Sequence, residues 1–226
     1  MAMFLKPKAI LFDLDGTLLN TIDDLAFSVN TILSKHGFPT HEVEAYKYFV
    51  GNGARLMVSR AMPESERSEE MIAQCVAEVR EVYNEHMLDK TCAYDGIAEL
   101  LDELVRRKIR LAVLSNKPDR ATLLLVEKYL GTERFAVVRG AIDGVALKPE
   151  PQASLLIAQA LNVEPSQCLH VGDSGTDMLT AKNSGMTGIG VLWGFRQKDE
   201  LLENGAQHVI SAPGELLDML RRDMTG

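Results

Sequence analysis

Ala9-Ile10-Leu11-Phe12-Asp13-Leu14-Asp15-Gly16-Thr17 decides how the rest of the chain reads. Four apolar residues run without a break into two carboxylates separated by a single leucine. The apolar run reads as a strand buried on both faces, with the acids at its mouth. Each carboxylate prefers water, and each raises the pKa of the other unless a cation sits between them. A metal-assisted site at the carboxyl end of the strand is the simplest account.

Working outward, further short apolar runs recur at Ile109 to Leu114, Phe135 to Val138, Cys168 to Val171 and Gly188 to Leu192. Between them lie helical patterns: Ile97, Leu100, Leu101, Leu104 and Val105, then Leu123 to Leu130, then Leu155 to Leu161. Glu215 to Leu220 gives a last helix. Continuous apolar strands separated by amphipathic helices predict βαβ units on a parallel sheet. The fold class is therefore α/β, a Rossmann-like doubly wound sheet.

Residues 21–90 break the alternation. Ile22, Leu25, Ala26, Val29, Ile32 and Leu33 keep helix spacing up to Gly37, and Thr40 is the expected N-cap of a second helix. Gly51-Asn52-Gly53 turns the chain into Ala54 to Met62, and Glu69 to Met87 carries a long helix. So much helix between the first and second strands exceeds an ordinary crossover. It predicts an inserted all-α lobe over 21–90, on a core made of 1–20 and 91–226. His36 and His41 are expected exposed there, while Met57 and Met62 fill the interior. His170 reads as a packed core histidine and Trp193 as a strand-end packing residue.

Composition bounds the function. The net charge of −8 argues against broad nucleic-acid or anionic-membrane binding. No apolar run nears the roughly 20 residues needed to span a bilayer. The three cysteines, Cys75, Cys92 and Cys168, show no CxxC spacing and read as buried, reduced thiols of a cytoplasmic protein. A monomer and a homodimer are both open.

Open α/β sheets bind ligands at the carboxyl edge. The second strand ends there in Ser115-Asn116-Lys117-Pro118, and Lys148-Pro149 follows the third, with the proline expected in the first helical turn. The fourth runs into Gly172-Asp173-Ser174-Gly175-Thr176-Asp177. Hard oxygen donors with few histidines select Mg²⁺, which favours a phosphate partner bound by Ser115 and Lys148. Asp177 also suits the first turn of the following helix.

Asp13-x-Asp15-Gly16-Thr17, Ser115, Lys148, and Gly172-Asp173 with Asp177 appear in that order at strand ends. The set resembles the haloacid dehalogenase superfamily of Mg²⁺-dependent phosphatases over nearly the whole chain. The lobe resembles the cap of its small-capped branch. Val50-Gly51-Asn52-Gly53-Ala54, Trp193-Gly194-Phe195-Arg196 and Asn204-Gly205-Ala206 resemble phosphoglycolate phosphatases. Asn20 departs from the pattern, since many members carry an acid there.

The resemblance implies hydrolysis of small phosphorylated metabolites, 2-phosphoglycolate first. Asp13 would be the nucleophile, giving an aspartyl-phosphate, and Asp15 the general acid and base. Mg²⁺ would take the Asp13 carboxylate, the Asp15 backbone carbonyl and Asp173, with Asp177 steadying ligand waters or Lys148. Thr17, Ser115, Asn116 and Lys148 would hold the phosphate. In the cap, Gly53 and Arg55 would meet the leaving group, Arg55 reading a carboxylate. A phosphosugar mutase, or a pyrophosphatase or nucleotidase on the same scaffold, are the alternatives. A phospho-acceptor module is disfavoured by Asp15 and the helical insert, and a hydrolytic dehalogenase by its having no role for the metal-binding acids.

Overall fold

A computed structural model describes residues 6–221. Six strands form one parallel sheet in the order β5-β4-β1-β6-β7-β8. These are β1 (Ala9–Phe12), β4 (Arg110–Pro118), β5 (Val137–Ala141), β6 (Cys168–Gly172), β7 (Thr187–Val191) and β8 (His208–Ile210). The three-residue β8 is too short to carry a pattern in the sequence. β1 is central, with Phe12 opposite Val113 of β4 on one side and Val171 of β6 on the other. The chain winds outward from β1 in both directions, so the switch point of the sheet falls where β1 ends.

Alternate residues of the central strands point to opposite faces. Ile10, Phe12, Val113 and Val171 pack with α5 (Ile97–Arg106), α6 (Asp119–Tyr129) and α10 (Pro213–Arg221). Ala9, Leu11, Ala112 and Leu114 pack with α7 (Gln152–Ala160) and with Ala181 of α8 (Gly175–Ser184). Burial on both faces is what removes polar residues from β1 and makes it legible in the sequence.

Five α-helices lie between β1 and β4, and the first four form the lobe: α1 (Ile22–Lys35), α2 (Val43–Phe49), α3 (Ala54–Ala61) and α4 (Glu69–His86). They share their own apolar cluster, including Leu25, Val29, Tyr46, Met57, Met62, Val79 and Tyr83. Two core residues, Ala121 and Phe195, join that cluster. A short antiparallel pair, β2 (Leu19–Asn20) with β3 (Cys92–Ala93), brings the two connections of the helical lobe together. The buried Asp24 carboxylate fixes the return by accepting from the backbone N–H groups of Lys90 and Thr91 and from the Thr91 hydroxyl.

Several local expectations are corrected. The second helix starts at Val43 behind Glu42, not behind Thr40. Pro149 follows a cis peptide and precedes α7, whose N-cap is Pro151. His36 is half-buried against Glu78, and His41 is half-buried with Nε2 on the Ala61 carbonyl. Cys75 and Cys168 are buried, but Cys92 is exposed because its two-residue strand lies at the lobe connection. Among the described residues no helix is long and apolar enough to cross a membrane.

Candidate active site

The turn after β1 is built by Leu14, whose carbonyl accepts from the backbone N–H groups of Leu18 and Leu19. Gly16 sits at φ +85°, and a Cβ there would run into the Asp173 carboxylate and the Phe195 ring. Glycine is required because the first and fourth sequence motifs press together at this point. Trp193 closes the same turn by donating from Nε1 to the Thr17 carbonyl at 2.9 Å.

Asp13, Asp173 and Asp177 are buried, with a carboxylate oxygen of each within 4.8 Å of the others. The buried Lys148 ammonium lies 2.7 Å from Asp13 Oδ1 and 2.7 Å from Asp177 Oδ1. Three acids around one lysine leave an excess of negative charge away from water. Burial first, then Asp177, raises the Asp13 carboxyl well above the usual range, with Lys148 opposing. Burial and Asp177 push Asp173 up to about 7, even though its Oδ2 accepts from the Phe195 N–H at 2.7 Å. Burial acts the same way on Asp177, but Lys148 and His170 outweigh it and hold this carboxyl well below the ordinary value. The pair Asp13 and Asp173 is thus short of positive charge, and its oxygen-only chemistry fits a hard divalent cation.

Both oxygens of Asp177 are engaged by the protein. Oδ2 accepts from the Ser174 N–H and hydroxyl, closing a capping box on α8, and Oδ1 is held by Lys148 and His170. Helix capping and lysine positioning are both real here, one on each oxygen. His170, expected as core packing, is buried with Nε2 3.3 Å from Asp177 and Nδ1 without a partner among the described residues. Burial depresses its pKa, so the neutral ring is favoured. A lone histidine in an apolar strand carries no sequence sign of such a contact.

Asp15 stands at the other side of the turn. Its Oδ1 accepts from Thr21 Oγ1 at 2.6 Å and its Oδ2 lies 3.1 Å from Lys117 Nζ. Lys117 Nζ also donates to the Tyr83 hydroxyl at 3.0 Å, so a lobe helix reaches the residue that holds Asp15. Burial works against the Lys117 charge, but Asp15 and Tyr83 more than compensate and raise its pKa. The partners of Lys117 lie too far off in sequence to be read from it.

A cavity of about 500 Å³ opens between core and lobe, lined by Asp13, Asp15, Ser115, Lys117, Asp173 and Arg196 among others. Ser115 is buried with its Oγ accepting from the Lys117 N–H, and Gly53 and Asn116 also line the cavity. The Asn116 side chain, expected on substrate, is instead committed: it donates to the Gly51 and Lys148 carbonyls and accepts from the Lys148 N–H. Thr17 lies behind Asp173, its Oγ1 3.4 Å from Oδ1, and does not line the cavity. Arg55 is not brought to the site, because its half-exposed side chain pairs with Glu69. The lobe is tied down by Arg196 to the Val50 carbonyl at 2.8 Å and by Asn52 to Thr176 Oγ1 at 2.8 Å.

A parallel sheet whose switch point gathers carboxylates around a buried lysine, under a helical lobe, is the framework of a hydrolase. The profile of the family described as Haloacid dehalogenase-like hydrolase matches residues 10–191. Phosphoglycolate phosphatase 1 of Pseudomonas aeruginosa is 32% identical over 216 residues, covering 93% of this chain and 79% of that protein. The phosphoglycolate phosphatase of Pseudomonas putida is 31% identical over 225 residues, covering 97% and 79%. A solved structure from Lactobacillus delbrueckii subsp. bulgaricus, proposed to be a phosphoglycolate phosphatase, superposes with a TM-score of 0.90 at 30% identity. It covers 96% of this chain and 99% of its own. The chain belongs to the haloacid dehalogenase-like hydrolase family and stands with its phosphatases.

Proposed function

We propose that this protein is a cytoplasmic, Mg²⁺-dependent phosphatase of small phosphate monoesters, with 2-phosphoglycolate as the leading substrate. Residues 21–90 act as a cap over a core formed by 1–20 and 91–226. The observation that carries this reading is Lys148 clasped between Asp13 and Asp177, with Asp173 beside them. The phosphoglycolate assignment is supported by the names of the relatives in Pseudomonas.

Asp13 attacks phosphorus and the ester P–O bond breaks, leaving a phosphorylated Asp13. Asp15 gives its proton to the departing alkoxide oxygen and then takes one from the water that releases phosphate, so the group returns to its starting state. Thr21 and Lys117 hold the Asp15 carboxylate in place through both halves. Ser115 and Lys148 hold the transferring oxygens, since this transition state is stabilised chiefly by positioning and charge. Asp13, the Asp15 backbone carbonyl and Asp173 would hold Mg²⁺, while Asp177 holds Lys148. Bound there, the ion supplies the positive charge that lets a carboxylate approach a phosphate.

Phosphate release from phosphoglycolate, sugar phosphates, nucleotides and pyrophosphate, each with Mg²⁺ and with EDTA, tests the proposal. The expected result is Mg²⁺-dependent phosphate release, fastest from phosphoglycolate. An isomerised sugar phosphate without free phosphate would refute hydrolysis, and turnover in EDTA would refute the metal.

A further inference from the structure

Four cationic side chains line the cavity: Lys117 and Arg196 deep inside, and Arg80 and Arg120 on exposed helix positions. Lys117 is committed to Asp15 and Tyr83, and Arg196 to the Val50 carbonyl and Glu200. The guanidinium groups of Arg80 and Arg120 have no hydrogen bond, ion pair or ring contact among the described residues. They come from different parts of the fold, Arg80 from lobe helix α4 and Arg120 from core helix α6. Their neighbours Val79 and Ala121 both belong to the lobe's apolar cluster, which places both arginines at the seam.

Arg80, Tyr83 and Asn84 all line the cavity, a spacing that puts them on one face of α4. Tyr83 touches Lys117, which holds the acid that would protonate the leaving oxygen. Arg80 therefore stands about one helical turn from that layer, roughly 4.5 Å along the axis. A leaving alcohol with a second charge at its far end spans such a gap, and a guanidinium fork suits a planar or tetrahedral oxyanion.

We infer that Arg80 and Arg120 form a subsite for an anionic group on the leaving alcohol and thereby decide which phosphate esters are turned over. The inference rests on the phosphatase reading above. Its test compares kcat/KM for phosphoglycolate with kcat/KM for 2-hydroxyethyl phosphate, which has the same backbone without the carboxylate. Ethylene glycol bisphosphate forms a third arm, so that a carboxylate and a second phosphate are told apart. The ratio of charged to uncharged ester is measured for the natural enzyme, Arg80→Gln, Arg120→Gln and the double variant, each with its unfolding temperature.

The preference for at least one charged ester is expected to fall roughly tenfold to a hundredfold in the double variant. The arm that falls further identifies the anion. An unchanged ratio in all three variants of an active enzyme overturns the subsite and leaves the phosphatase reading intact. No phosphate release from any of the three esters by the natural enzyme overturns both.

Discussion

Replacing Asp173 by asparagine should make the cation-free protein more stable while destroying its response to Mg²⁺. The side chain is buried, and the Asn oxygen can still accept from the Phe195 N–H, so the shape and the main hydrogen bond survive. What is lost is a charge that burial and Asp177 make unfavourable, raising the carboxyl from 3.8 to about 7. The folded state binds this proton more tightly than the unfolded chain does. The cost of ionisation is therefore absent below about pH 4, grows between pH 4 and 7, and is complete above that.

At pH 8 the penalty removed is on the order of 2–4 kcal/mol, or roughly 4–16 °C in melting temperature for a chain of this size. The assay is thermal unfolding of both proteins in EDTA and in Mg²⁺, at pH 5 and pH 8. In EDTA the variant should melt higher at pH 8, and at pH 5 its advantage should shrink to less than half of that, since only part of the ionisation cost is present there. Added Mg²⁺ should raise the natural protein at pH 8 and leave the variant unmoved. A variant that loses stability equally at both pH values in EDTA would refute the charge account.

Asp13→Asn should abolish phosphate release from every ester, since the amide is no nucleophile; a malachite-green assay that finds near-natural rates would break the mechanism. Lys148→Met strips Asp13 and Asp177 of their shared cation. It should destabilise the protein by about 3–5 kcal/mol, seen as a lower urea midpoint, in addition to ending turnover. Arg55→Ala should change stability by no more than about 1 kcal/mol and leave the ratio of phosphoglycolate to uncharged-ester activity within about twofold, as befits an exposed ion pair.

Much of the core was legible because the acidic motifs of the candidate site follow strands that must be apolar. Asp13 stands out against Phe12, and Asp173 against Val171, since the sheet is covered on both faces. Side-chain partners were less legible. Nothing in the spacing says that Asn116 ties down the Lys148 segment and the Gly51 carbonyl, or that Lys117 reaches Tyr83 across the cavity. Arg55 is conspicuous in the sequence because it follows a glycine turn, whereas the face that α4 presents to the cavity depends on how the lobe packs. Strands of two or three residues, such as β2, β3 and β8, carry too few positions for any period to show.

Phe195 acts at both of its ends. Its backbone N–H grips Asp173, while its ring is packed into the cluster of the helical lobe. Swinging the lobe aside would bare this ring to water, at about 1.5–3 kcal/mol, and would pull on the amide that steadies the carboxylate. Access to the cavity and the pose of the Asp173 carboxylate are therefore linked through a single residue. An emptied, gaping enzyme would be a poorer holder of its ion than a shut one.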